Sequence, residues 1–266
     1  MSLPTPAAAH VALVTGASGG IGEELARELA GRGHEVVLVA RSRDRLEALA
    51  AELPVRAHVV VADLSDAAAR AGLPAELERR GLVVDVLVNN AGSSTLGPVS
   101  RSDADAELRM VALDVGAVVD LCSRFVPGMV ARGRGAVLNV ASTAAFQPLP
   151  GQAAYGASKA FVLSYSRSLV AELRGSGVTA TVLCPGPVDT GFGEAAGFDR
   201  DDFEKALPRP MWVAARDVAR AGVAGLDAGR AVVVPGAVNR VGAVLAARAP
   251  QGLLARVLAT AHPGLR

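Results

Sequence analysis

Short apolar runs alternate with longer segments of helical period along this chain. Residues 11–15, 35–40, 57–61, 84–88, 136–141, 179–183 and 231–234 are brief runs rich in β-branched residues and read as strands. Between them, 20–32, 43–52, 67–80, 104–131, 153–174 and 214–228 repeat apolar positions at helical spacing. The strands are continuously apolar rather than alternating, as a sheet covered on both faces requires. Strand–helix alternation implies crossover connections and a parallel sheet. The expected fold class is α/β, a doubly wound parallel sheet with helices on both faces. No repeat or long linker divides the chain, so 10–235 reads as one domain, with 236–266 as its helical extension and 1–9 as a disordered lead.

Composition adds bounds. Of the 266 residues 51% are hydrophobic, mostly Ala, Val and Leu, so a sizeable core forms without aromatics. A formal net charge of +1 argues against nucleic acid as a partner. Cys122 and Cys184 follow apolar residues and read as buried free thiols of a reducing compartment. The four histidines (His10, His34, His58, His262) are dispersed, so no metal site is expected. The N-terminus lacks a basic n-region and no run reaches membrane-spanning length, which makes the cytoplasm the expected location.

Candidate chemistry begins after the first strand. Thr15-Gly16-Ala17-Ser18-Gly19-Gly20-Ile21-Gly22 joins a strand directly to a helix, the context in which small residues let backbone approach a pyrophosphate at a helix N-terminus. After the second strand a carboxylate would bind the ribose 2′-OH of NAD, and an arginine the 2′-phosphate of NADP. The chain reads Val39-Ala40-Arg41-Ser42-Arg43, which favours NADP(H) over NAD(H), although Gly19 leaves the loop without a second basic residue. The plainer reading makes Arg41 and Arg43 the solvated start of a helix. Asp63, after the third strand, is placed to accept from an adenine amino group; alternatively it is an exposed acid before a helix capped by Ser65. Asn89-Asn90-Ala91-Gly92 follows the fourth strand as a candidate wall of the adenosine pocket.

Tyr155 and Lys159 lie one helical turn apart on one face. Only two tyrosines and two lysines occur in the chain, so composition alone gives this spacing roughly 1.5% of the time. An ammonium beside a phenol favours the phenolate and lowers its pKa.

Together these motifs resemble the short-chain dehydrogenase/reductase family. The resemblance rests on 15–22, Asp63-Leu64, 89–92, Ser142, Tyr155-x-x-x-Lys159 and Pro185-Gly186, over about residues 10–235. It implies a seven-stranded Rossmann-type sheet in the order 3-2-1-4-5-6-7 and hydride transfer between NAD(P)H and a carbonyl or alcohol. It assigns Tyr155 as acid or base, Lys159 as its modulator and binder of the nicotinamide ribose, and Ser142 as second hydrogen-bond partner of the substrate oxygen. It also places the Val188 backbone and the Thr190 hydroxyl on the carboxamide. One departure is visible. Asp114 stands where the family carries an asparagine, and a carboxylate there is expected either to be tolerated or to pair with Lys159 and raise its pKa. Asn139, three residues from Ser142, is expected to face away from the site.

A substrate would lie between the loop after Ser142, with Phe146 and Gln152, and a lid over about 191–212 carrying Phe192, Phe198, Phe203 and Trp212. Arg200 and Arg209 do not form a cluster, so an apolar carbonyl or secondary alcohol is favoured. Arg240, Arg248 and Arg256 recur every eight residues in the extension, which would cover the cleft or a partner subunit. Membrane-surface binding is the lesser reading, because no Trp or Phe anchors the stretch. The long helices suit a homodimer or homotetramer. Two alternatives stay open: a 3-oxoacyl reductase of carrier-bound chains, and a regulator that binds NADP(H) without turnover.

Overall fold

Seven parallel strands form one sheet in the computed structural model, which describes residues 3–197, 208–261 and 265. They are β1 (His10–Thr15), β2 (Glu35–Ala40), β3 (Ala57–Val61), β4 (Val83–Asn89), β5 (Gly135–Val140), β6 (Val178–Leu183) and β7 (Val232–Val233), in the order β3-β2-β1-β4-β5-β6-β7. Helices α1 (Gly20–Gly31), α2 (Arg43–Glu52), α3 (Ala67–Arg79), α4 (Ala104–Val111), α5 (Ala117–Ala131) and α6 (Ala153–Glu172) lie between successive strands. After β6 come the short α7 (Phe192–Ala195) and α8 (Ala215–Asp227). Past β7 follow α9 (Ala237–Arg248) and α10 (Gln251–Ala261), separated at Pro250, which cannot continue a helix.

Alternate strand residues feed two cores. Val11, Leu13 and Val137 pack with α3, α5 and α6, around Leu77, Leu121 and Val162. Ala12, Val14 and Leu138 pack on the other side with α1 and α8, around Leu25, Leu29 and Val223. Both faces of β1, β4 and β5 are therefore dry, which accounts for their uninterrupted apolar sequence.

Two expectations need correcting. Residues 3–9 are held rather than disordered: the Leu3 N–H donates to the Asp227 carboxylate at 3.0 Å, Arg134 donates to the Thr5 carbonyl, and Ala7 pairs with His10. The segment 104–131 is not one regular helix either. Between α4 and α5 lies a π turn, Ala112–Gly116. Such a turn takes in one extra residue and often marks a functional site. Asp114 sits on it and is only 1% exposed.

Candidate active site

The C-terminal ends of β1, β4 and β5 meet at one edge of the sheet. Gly16 leaves β1 with a φ of +67°, a conformation costly for any residue with a Cβ. A Cβ there would lie 2.9 Å from the Ala91 Cα, and one on Gly22 would lie 2.2 Å from the Gly16 carbonyl oxygen. Among the described residues no side chain caps the N-terminus of α1, and none approaches the open space beside Gly19. The loop thus presents bare backbone and the unsatisfied first amides of a helix, which fits a pyrophosphate. Ser18, Gly20 and Ile21 lie on it, and Thr190 closes over it, its Cβ 3.0 Å from where a Gly20 Cβ would be.

The neighbouring wall is tied to this loop. The Thr15 hydroxyl accepts from the Asn90 and Ala91 amides at 2.9 and 3.0 Å and donates to the Val88 carbonyl. The Asn90 side chain donates to the Thr15 carbonyl at 3.0 Å. At the outer end Arg41 and Asp63 are both exposed after β2 and β3. Asp63 accepts from the Ser65 hydroxyl and amide, and those bonds hold its pKa below the usual carboxylate range, with a smaller contribution from Arg41. Ser65 is not the cap of α3; Asp66 is, accepting from the Ala68 amide. Arg43 pairs with Glu47 along α2, so of the two arginines after β2 it is Arg41 that stands before the helix begins. Leu64 is buried in the core.

Ser142, Tyr155, Lys159 and Asp114 are brought together. Ser142 follows β5; its hydroxyl accepts from the Ala144 amide at 3.1 Å and lies close enough to the Tyr155 phenol to favour the phenolate. The Lys159 Nζ lies 5.6 Å from the Tyr155 ring centre and 2.9 Å from the Asp114 carboxylate. The other carboxylate oxygen of Asp114 accepts from the Ser93 amide at 2.8 Å. Gly92 lies against this pair: a Cβ there would be 3.2 Å from both the Lys159 Nζ and the nearer Asp114 oxygen. Of the two expectations for Asp114, the geometry is that of a paired carboxylate.

The ionisation follows from this arrangement. Burial works to lower the Lys159 pKa, but Asp114 and Tyr155 outweigh it and the pKa is raised. The Tyr155 pKa is also raised: burial dominates, Asp114 adds to it, and Lys159 and Ser142 oppose. The expected downward pull of the lysine is present but does not win, because burial of the phenol outweighs it and the Asp114 carboxylate adds to burial.

The substrate candidates divide. The Phe192 ring lies 5.9 Å from that of Tyr155 at a 48° tilt. Gln152 is buried and donates to the Ser94 hydroxyl at 2.6 Å, bracing the loop before α6. Phe146 is half-buried, packs on the core and has Arg167 over its ring. Trp212 is half-buried after the 209–211 turn. Phe198, Arg200 and Phe203 lie outside the described residues, as does much of the expected lid. Pro185 and Gly186 hold the floor: the Pro185 carbonyl accepts from the Thr143 amide at 2.8 Å, and Gly186 lies against Asn239 of α9. The Val188 side chain packs on the α1 core.

Sequence reasoning missed Ser93 and Ser94, whose partners are 21 and 58 positions away. It also missed a polar cluster beneath the site. Asn139 accepts from the Asn89 amide at 2.9 Å and donates to Ser166, with the Cys122 thiol against both asparagines. Burial pushes the Cys122 thiol up to about 11 and the Cys184 thiol up to about 12, so neither is a nucleophile.

A family model described as short chain dehydrogenase matches residues 10–200. An NADP-dependent 3-hydroxy acid dehydrogenase, YdfG of Salmonella typhi, is 36% identical over 197 residues, covering 74% of this chain and 79% of that protein. A short-chain dehydrogenase from Sphingobium yanoikuyae, solved in complex with NADPH, superposes with a TM-score of 0.79 at 35% identity, over 92% of this chain and 94% of that one. A 3-ketoacyl-(acyl-carrier-protein) reductase from Brucella melitensis, complexed with NADH, gives 0.76 at 29% identity over 85% and 96%.

Proposed function

We propose, for a chain that belongs to the short-chain dehydrogenase/reductase family, NADP(H)-dependent interconversion of an apolar ketone or aldehyde and its alcohol. The observation that carries this is the convergence of Ser142, Tyr155 and Lys159 beside a bare glycine loop. NADP(H), when bound, supplies or accepts the hydride. Tyr155 then gives its phenolic proton to the developing alkoxide, or takes it back in oxidation. Ser142, beside that phenol, donates a second hydrogen bond to the same oxygen and keeps it in line. Lys159 holds positive charge behind the phenol and stabilises the phenolate that reduction leaves. Gly16, Gly20, Gly22 and the α1 amides receive the phosphates, and Arg41, exposed at the end of β2, takes the 2′-phosphate. Asp63, Asn90, Ala91 and Gly92 border the adenosine, and Pro185, Gly186, Val188 and Thr190 the nicotinamide.

The apolar preference rests on Phe192 facing Tyr155. A carrier-bound 3-oxoacyl group or a 3-hydroxy acid, the substrates in the names of two similar proteins, would need a cationic recognition surface. Arg209, exposed on the 209–211 turn, is the candidate there. A second reading, a binder without turnover, draws on the Asp114–Lys159 pair, which weakens the charge behind the phenol. Titration with NADPH and NADH, followed by a panel of ketones, aldehydes and 3-oxoacids, separates these readings. Turnover on apolar ketones with NADPH preference is expected; tight binding with no turnover over the whole panel would favour the binder.

A further inference from the structure

The last two helices turn an apolar side to solvent. In α9 the residues Asn239, Ala243 and Ala246 face inward and are buried. On the outer side Val238, Val241, Val244 and Leu245 are exposed, Val241 and Leu245 by 60% and 64%. Leu253 and Val257 of α10 continue the pattern at 62% and 57%. An amphipathic helix of a free globular protein shows the reverse, with its polar side to water. The charge is equally one-sided: from Ala228 onward the sequence holds five arginines and no acid, although the whole chain is only +1. Arg240, Arg248 and Arg256 are exposed on these same helices.

We propose that this outer face of α9 and α10 docks on an anionic lipid surface. Apolar side chains flanked by cations, without acids, match the boundary between acyl chains and negatively charged headgroups. A second copy of the chain suits the face less well. In a two-fold contact the same patch meets itself, so arginine would face arginine with no carboxylate between. Among the described residues no helix is long and apolar enough to cross a membrane, so the contact is peripheral. Without Trp or Phe in these helices, binding depends on the arginines and is released by salt. The inner side of α9 explains what docking would serve. Asn239 donates to the Met211 carbonyl at 2.8 Å and stands against Gly186, so the helix that meets lipid also braces the substrate side.

The test is flotation of the full chain with vesicles of phosphatidylcholine alone, and with phosphatidylcholine and phosphatidylserine at about two to one. Binding is expected only to the anionic vesicles, and is lost as salt rises. The double variant Val241→Glu/Leu245→Glu should lose it at least about tenfold. Arg240→Gln and Arg248→Gln should each weaken it roughly fivefold. All of these residues are exposed on the outer side of α9, so NADPH turnover and the circular-dichroism melt should stay as in the parent chain. Absence of flotation at low salt would overturn the proposal, as would flotation that none of the variants diminishes. So would a dimer that the glutamate variant dissociates in the absence of lipid, since that result assigns the face to a second copy.

Discussion

Replacing Asp114 by asparagine removes one negative charge from a buried site while preserving shape. The amide oxygen can still accept from the Ser93 amide, so the π turn keeps its anchor. The carboxylate lies 2.9 Å from the Lys159 Nζ, and both side chains are almost wholly buried. At an effective dielectric near 20, a unit charge at that distance is worth about 6 kcal/mol. Relaxation and the dipole of the new amide reduce this to about 1.5–3 kcal/mol, or roughly one to two pKa units. Tyr155 and Lys159 titrate as a coupled pair, so the sign does not depend on which gives up a proton first. Removing an anion makes loss of the first proton easier in either case. In the reductive direction the fully protonated pair is the active form, and activity falls as pH rises past that first ionisation. The falling limb of kcat/KM for ketone reduction should therefore move to lower pH by about one to two units in Asp114→Asn. A limb that stays in place or moves to higher pH would refute the account of Asp114 as the paired counter-charge of Lys159.

Other predictions concern the cofactor and the frame. Arg41→Ser should raise the KM for NADPH about ten- to a hundredfold and leave that for NADH nearly unchanged, measured by steady-state kinetics with both cofactors. Asp85 is buried at the start of β4 and accepts from Arg134, Arg132 and His10. Burial works to raise its pKa, but these partners outweigh it and hold it low. Its contribution to stability is therefore present above the unfolded pKa of about 4 and lost as pH falls through the lower folded value. Asp85→Ala should cost about 2 kcal/mol at neutral pH in urea unfolding. That is less than a fully buried pair, because both arginines are about a third exposed. The difference between parent and variant should shrink in acid.

Much of the fold is written in local pattern. The strand runs at 35–40 and 57–61 coincide with β2 and β3, because β-branched residues confined to short runs leave little alternative to an extended chain. The glycine loop and the Tyr155–Lys159 pair were legible because each lies within one short segment whose spacing has chemical meaning. The π turn was not: 104–131 keeps helical periodicity throughout, and the extra residue serves a lysine 45 positions later. The same holds for the lead, whose partners Arg134 and Asp227 lie far along the chain. The Asn89–Asn139–Ser166 cluster draws one residue from each of three elements, so no segment shows a polar site.

The most direct test of the central claim compares the parent chain with Tyr155→Phe in NADPH oxidation on an apolar ketone. Loss of the phenolic proton donor should lower kcat by about 10²–10⁴-fold while NADPH affinity stays within a few-fold of the parent. Turnover by the phenylalanine variant at the parent rate would contradict the account, as would a parent chain that binds NADPH and reduces nothing.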